Sequence, residues 1–190
     1  ARFTVFGTAS AVPSGGFADF DGDTKTDISV FRPSETNWYI IRSSDSTVTV
    51  TNFGSPTGRI TPADFDGDGK TDIATFNNGS WSILRSQLGS TTVNFGLAGD
   101  IPQPGDYDGD GKPDIATANY GSQNVSVLKN NSSLGAIVFA NKIDYAAGNF
   151  PWHILSADAD GDGKLDIFAL NYGDKNFSVL RNLSSPGSFN

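Results

Sequence analysis

The chain contains no cysteine and no methionine, and its apolar residues occur only in short runs. The absence of cysteine excludes disulfides and thiol chemistry, although metal ions can stabilise a secreted protein in their place. No run approaches the about 20 apolar residues that a helix needs to span a membrane, so membrane insertion is not expected. We expect Ala1 to be a processed end or an arbitrary boundary, and removal of a signal peptide would explain a processed end.

Basic residues are also scarce, with 13 Lys and Arg against 21 Asp and Glu and a formal net charge of −8. Nucleic acid is not an expected partner, because the chain has no basic stripe that could neutralise phosphates. Most acidic residues lie in four short loops, and the exceptions are Glu35, Asp45, Asp100, Asp144 and Asp174. Four divalent cations would cancel the charge of −8.

The four loops share one design and recur at intervals of about 40 to 50 residues, a period typical of propellers and other repeat arrays. Asp stands at loop positions 1, 3, 5 and 9, Lys at position 7 and Gly at position 4. Carboxylates so close together repel one another, whereas calcium takes about 6 to 8 oxygen ligands and would hold them together. The sequence therefore predicts four Ca²⁺ ions per chain, bound by the Asp side chains and the Lys backbone carbonyls, with the Lys ammonium groups in solvent. The predicted metal ligands are Asp19, Asp21, Asp23, Lys25, Asp27, Asp64, Asp66, Asp68, Lys70, Asp72, Asp106, Asp108, Asp110, Lys112, Asp114, Asp158, Asp160, Asp162, Lys164 and Asp166.

The EF-hand is the motif most easily confused with these loops. It requires flanking helices and an acid at position 12, where this chain has Val30, Thr75, Thr117 and Ala169. Zinc is disfavoured because the ligands include neither Cys nor His, and magnesium because it prefers stricter octahedral sites. Calcium is therefore the predicted cofactor.

Short segments of alternating apolar and polar residues flank the loops and predict an all-β fold without helices. We expect a four-unit β-propeller-like array with about four antiparallel strands per unit, in one repeat domain over residues 1–190. The unit boundaries are approximately 8–54, 55–96, 97–145 and 146–190, with 1–7 as a closing strand. The fourth strand of the third unit is predicted around 136–140.

The ends of the chain are staggered against the repeat. Residues 2–7 match the fourth strand of the second unit, at 92–96, although they precede the first loop. The last unit, conversely, stops after its third strand. We therefore expect the N-terminal strand to complete the last unit, either in the same chain or in the next subunit.

The loops, the strands that follow them and the pairs Phe6-Gly7, Phe53-Gly54 and Phe95-Gly96 resemble the FG-GAP and VCBS repeat families. In the fourth unit Tyr145-Ala146 stands where that pair is expected. The resemblance implies blades of an integrin-α-type β-propeller. It also implies that each calcium loop joins the first and second strands of its blade.

These features predict a secreted, extracellular calcium-binding structural or adhesive module. One version of this prediction is a module that self-assembles into a filament by strand complementation. Its expected partners are copies of itself and extracellular or cell-surface glycans. A carbohydrate-binding, lectin-like propeller is the alternative, because Trp38, Trp81 and Trp152 could stack on sugar rings. Trp38 and Trp81 occupy equivalent repeat positions, which favours a packing role for both.

His153 is the only histidine, and no catalytic set can be assembled around it. An enzyme is therefore not predicted, and a calcium-dependent hydrolase or lyase is the least favoured function.

Overall fold

A computed structural model describes residues 18–134 and 136–189, and all the regular secondary structure in these two segments is β-strand. The strands are β1 (Ile28–Arg32), β2 (Asn37–Ile41), β3 (Val48–Asn52), β4 (Arg59–Ile60), β5 (Ile73–Asn77), β6 (Ser80–Arg85), β7 (Gly89–Asn94), β8 (Ile101–Gly105), β9 (Asp114–Asn119), β10 (Asn124–Leu128), β11 (Ile143–Ala146), β12 (Pro151–Ala157), β13 (Asp166–Asn171) and β14 (Asn176–Leu180). The predicted all-β fold is confirmed. The described residues include no helix long and apolar enough to cross a membrane.

The strands form four antiparallel sheets, one for each repeat, and we call these sheets units 1 to 4. Their strand orders are β1-β2-β3, β4-β5-β6-β7, β8-β9-β10-β11 and β12-β13-β14. Within each sheet, every strand pairs with the strands next to it in sequence, in the antiparallel arrangement that such connections allow. The last unit has three strands, as the sequence predicts, whereas the predicted closing strand at residues 1–7 lies outside the described residues.

Each sheet packs against the next through two distinct faces. Ile73 of unit 2 shares a hydrophobic cluster with Trp38 and Ile40 of unit 1. In the same way, Ile115 of unit 3 shares a cluster with Trp81 of unit 2, and a third cluster joins units 3 and 4. Because side chains alternate along a strand, each sheet has a back face towards the preceding unit and a front face towards the following one. Within the described residues, no cluster joins unit 4 to unit 1, so the array is open.

The predicted fourth strand of unit 3 is wrong in position. The strand that pairs with β10 is β11, at Ile143–Ala146. Residues 136–140 instead fold back on the chain just after β10, with Asn131 N–H donating to Val138 O at 2.8 Å and isolated bridges at Asn130–Phe139 and Ser133–Ala136. The reason is apolar burial, because Phe139 packs against the cluster between units 2 and 3.

Candidate metal centres

The structure brings together the carboxylates at positions 1, 3 and 9 of every loop. In each group, one oxygen per residue lies within 4.8 Å of the others. The groups are Asp19, Asp21 and Asp27; Asp64, Asp66 and Asp72; Asp106, Asp108 and Asp114; and Asp158, Asp160 and Asp166. The position-5 aspartates are not members of these groups. Each position-5 carboxylate instead accepts the backbone N–H of the Lys at position 7, at 2.8 to 3.0 Å.

Backbone N–H groups shape each loop around its first aspartate. In the second loop, Gly67 N–H and Gly69 N–H donate to the two carboxylate oxygens of Asp64, at 2.8 and 2.9 Å. The other loops repeat this pair of bonds. Gly67 and Gly69 have φ values of 75° and 86°, in the left-handed region that favours glycine. Thr24 stands at the sixth position of the first loop and adopts φ 70° there.

The position-9 aspartate is the buried anchor of each loop. Asp72 accepts Phe65 N–H on one carboxylate oxygen and Ser86 N–H on the other, both at 3.0 Å. Equivalent pairs of bonds hold the other three. Burial raises the pKa of Asp72 to about 7, and the nearby charge of Asp66 adds to the effect. Burial and the charge of Asp108 likewise raise the pKa of Asp114 to about 7.

Asp66, at position 3 of the second loop, gives the clearest structural indication of a cation site. Its side chain is 2% exposed, and neither carboxylate oxygen has a hydrogen-bond partner. Burial raises the pKa of this carboxyl, and the charges of Asp68 and Asp64 raise it further. An unpaired buried carboxylate is unfavourable by several kcal/mol in most proteins. A divalent cation between Asp64, Asp66 and Asp72 would remove that penalty, so the donor set fits Ca²⁺.

The other three position-3 carboxylates have a basic partner directly after β2, β10 or β14, which correspond to the third predicted strand of each repeat. Arg42 Nε lies 3.4 Å from Asp21 Oδ2, and the Lys129 ammonium contacts Asp108. Arg181 contacts Asp160 in the same way. The equivalent Arg85 donates to the carbonyl oxygens of Leu88 and Gly89. Sequence reasoning missed this role, although a Lys or Arg ends the third strand in all four repeats.

The predicted solvent position of the Lys ammonium groups needs correction in one loop. Lys112 Nζ lies 3.2 Å from Asp110 Oδ2 with its side chain only 28% exposed, and Lys129 Nζ approaches the same oxygen at 3.3 Å. The carboxylate of Asp110 lies outside the group formed by the other three acids of the loop, and it attracts these two ammonium groups. Lys25, by contrast, is largely exposed and 3.6 Å from Asp23.

Two asparagines connect successive loops, and sequence reasoning missed both. The Asn130 side chain donates to Phe65 O of the second loop and to Pro113 O of the third, each at 2.9 Å. Asn182 repeats the arrangement one unit later, with bonds of 2.7 Å to Tyr107 O and 3.0 Å to Leu165 O. The signal in the sequence is an Asn-X-Ser that follows the third strand in units 3 and 4.

The three tryptophans divide into two roles. Trp38 and Trp81 are buried and donate their indole N–H to Phe53 O and Phe95 O, at 3.2 and 3.1 Å. Both therefore serve packing, as their equivalent repeat positions predict. Trp152 is 60% exposed.

Trp152 lines an aromatic groove of about 650 Å³ on unit 4. Tyr120 packs beside it, with ring centroids 5.7 Å apart, and Phe150 lies 5.0 Å from Tyr120. Tyr172 and the amide-bearing Asn176 complete one side of the groove. Tyr120 of unit 3 and Tyr172 of unit 4 lie at turns between strands, Phe150 directly precedes β12 and Trp152 lies at its start. All four are at the opposite end of the sheets from the aspartate loops.

Four successive antiparallel sheets, packed front face to back face and joined to aspartate loops, define a β-propeller-like repeat protein. The FG-GAP-like repeat model matches residues 19–75 and 106–169, which is more than half of the chain. The chain therefore belongs to the FG-GAP-like repeat family, as its loops and Phe-Gly pairs predict.

Among solved structures, the chain is similar to a lectin of Agrocybe aegerita, described as recognising non-reducing terminal N-acetylglucosamine. The TM-score is 0.55 at 20% sequence identity, over 88% of this chain and 51% of the lectin chain. The likeness supports the fold, and the chain matches about half the length of that lectin. A comparison with curated proteins found no match.

Proposed function

We propose that the chain is a non-catalytic, extracellular structural or adhesive module in which one calcium ion stabilises each of four repeats. The buried carboxylate of Asp66, which has no hydrogen-bond partner, carries this proposal, because such a group is expected where a cation binds. The three-acid groups of the other loops support the same role at each repeat. Extracellular calcium modules bind with a Kd of about 10⁻⁴ to 10⁻³ M, which external but not cytosolic calcium can occupy.

The loops suit a hard cation with flexible coordination. The carboxylates at positions 1, 3 and 9 would supply the nearest oxygens, and the position-5 carboxylate and the Lys carbonyl would complete the shell. Calcium accepts such mixed carboxylate and carbonyl sets. Its charge would also remove the repulsion among carboxylates that burial strengthens. The metal would therefore stabilise the segments that lead into β1, β5, β9 and β13, the strands that follow the loops.

Calorimetric titration of chelator-treated protein with CaCl₂ tests the proposal. Four sites per chain are expected, together with a higher melting temperature, because a ligand at ten times its Kd adds about 1.4 kcal/mol per site. Asp174→Asn is a suitable control, because Asp174 is an exposed acid outside the loops, and it should leave the stoichiometry unchanged. One site or none would contradict the proposal.

Carbohydrate binding is the second candidate function, and the aromatic groove favours it. Exposed rings of Tyr120, Trp152 and Tyr172 present apolar faces, and Asn176 and Lys175 supply hydrogen-bond donors along the same groove. Neutral sugars bind to such combinations of ring face and amide. The similar lectin adds weight through its fold alone.

Binding to immobilised glycans ending in N-acetylglucosamine, beside a panel of other neutral glycans, tests this second function. Trp152→Ala is expected to abolish binding without lowering the melting temperature, because the Trp152 side chain is mostly exposed. Trp81→Phe is the matched control, because Trp81 is buried in packing; it should lower stability and leave sugar affinity intact. Binding that survives Trp152→Ala would rule out the groove.

A further inference from the structure

The front face of unit 4 is apolar and exposed. On β13 and β14, Phe168 lies opposite Val179 and Leu170 opposite Phe177. The exposed fractions of Leu170, Phe177 and Val179 are 52%, 60% and 48%. In unit 2, Ile83 occupies the position equivalent to Val179 and is fully buried. The front face of unit 4 therefore resembles the covered front faces of the interior units. Among the described residues, no sheet follows unit 4 to cover it.

The back face of unit 1 is exposed in the same way. Ile28 lies opposite Ile41, and Ile41 opposite Val48, across the three strands of this sheet. Val30 and Val50 continue the same face, and all five side chains are exposed. Such an apolar face on a soluble protein commonly marks an interaction surface.

This back face is more apolar than its interior equivalents. Where unit 1 has Val30, units 2, 3 and 4 have Thr75, Thr117 and the smaller Ala169, all buried beneath the preceding unit. Where unit 1 has Val50 on β3, unit 2 has Thr92 on β7. Surfaces that stay in water usually show the opposite trend, with polar residues replacing apolar ones. The composition therefore indicates that another apolar surface covers this face.

Interior contacts of the chain show which surface fits. Every one of them joins a front face to a back face, with Ile or Leu of the back face packed against apolar side chains of the front face. The only two end faces among the described residues are one of each kind. We propose that the front face of unit 4 binds the back face of unit 1 in a second copy of this chain.

The contact is heterologous, so it closes into a ring if the rotation between copies allows and otherwise extends into a filament. This chain aligns with 51% of the lectin chain, so two copies of this chain would together match the length of one such lectin. Propellers have about four to eight blades, a range that eight units in a two-chain ring would satisfy. The proposal does not depend on calcium, whereas Leu170 and Phe177 also line the aromatic groove, so a ligand bound there would compete with the second copy.

Sedimentation velocity of the full chain over a wide concentration range tests the contact. Wild-type protein is expected to associate as its concentration rises. Val179→Asp on the front face and Val30→Asp on the back face should each raise the dissociation constant by about thirtyfold or more, the effect of losing a central interface contact. Leu134→Asp, at an exposed apolar residue away from both end faces, should associate like wild type.

Mixing the two variants makes the test specific. Val30→Asp keeps an intact front face and Val179→Asp an intact back face, so together they should form a one-to-one dimer that grows no further. Melting curves establish that each variant is folded, and Val179→Ser replaces Val179→Asp if the latter does not fold.

Three results would overturn the proposal. Wild-type protein that stays monomeric at every concentration would mean that something else covers these faces, such as further repeats of a longer chain. Association of Val30→Asp alone would indicate contact between two front faces. Equal behaviour of Val179→Asp, or of Val179→Ser where it replaces Val179→Asp, and the Leu134→Asp control would exclude the front face.

Discussion

At the scale of single residues, Asp66 distinguishes the second loop from the other three. Replacing it with Asn is expected to have opposite effects in the two metal states. In metal-free protein, Asp66→Asn should raise stability by about 1 to 2 kcal/mol, because it removes a buried negative charge that has no hydrogen-bond partner and is repelled by Asp64 and Asp68. In calcium, the same substitution should lower the melting temperature and remove one of the sites. Thermal unfolding with chelator and with calcium measures both effects.

Asp160→Asn is the matched control for Asp66→Asn. Asp160 holds the same loop position but is exposed and contacts Arg181. Its replacement should also remove a site, yet should give no gain in stability without metal. A gain of equal size in both variants would show that burial of Asp66 is not the cause.

The sequence identifies the loop aspartates but does not distinguish among them. All four loops repeat the same acids, so a pattern cannot show that Arg85 acts on Asp66 through its charge alone, whereas Asp21, Asp108 and Asp160 have a basic side chain in direct contact. That difference arises from the side-chain direction of Arg85, which donates to turn carbonyls. Arg85 is the same residue type as Arg42 and Arg181, so only the folded geometry separates them.

At the scale of strands and loops, alternation predicts most elements because one residue in two must face a neighbouring sheet. This prediction fails at residues 136–140. Their apolar side chains pack against the cluster that contains Phe65, and the segment does not pair with β10. Over five residues, a strand and an irregular segment that packs on the core can have the same pattern of apolar and polar residues. Non-local packing decides between them.

Asn130 connects two loops and is expected to be important for stability. Asn130→Ala should lower the free energy of unfolding by about 2 to 4 kcal/mol, because buried carbonyls would lose their donors. Asn131→Ala is the control one residue away, at an exposed side chain, and should change stability little. Urea unfolding measures both. Equal effects would contradict a bridging role for the Asn130 amide.

Among the described residues, no strand pairs with the outer edge of β14, and the predicted N-terminal strand would fill that edge. Deleting residues 1–7 should weaken assembly and leave monomer stability unchanged if the strand pairs between copies. A lower melting temperature in the monomer would indicate pairing within one chain. Sedimentation and thermal unfolding together separate these outcomes, and a truncated protein identical to the intact one in both would contradict strand completion.

At the scale of the whole molecule, the charge of −8 is concentrated in the loops. Raising NaCl to about 1 M shortens the screening length to about 3 Å and should raise the melting temperature of metal-free protein. Calcium-loaded protein should respond much less, since its loops are already neutralised. Melting curves at several salt concentrations test this, with sodium sulfate avoided because it stabilises proteins in general. An equal salt response with and without calcium would contradict the charge argument.

The use of one type of contact between all neighbouring units has a consequence for how such chains change in evolution and in engineering. An in-frame duplication of one repeat would bring its own front and back faces, both already complementary to those of its new neighbours. Deletion of an interior repeat would rejoin faces that fit for the same reason. The number of repeats is thus a property that can vary by whole steps without the invention of a new interface.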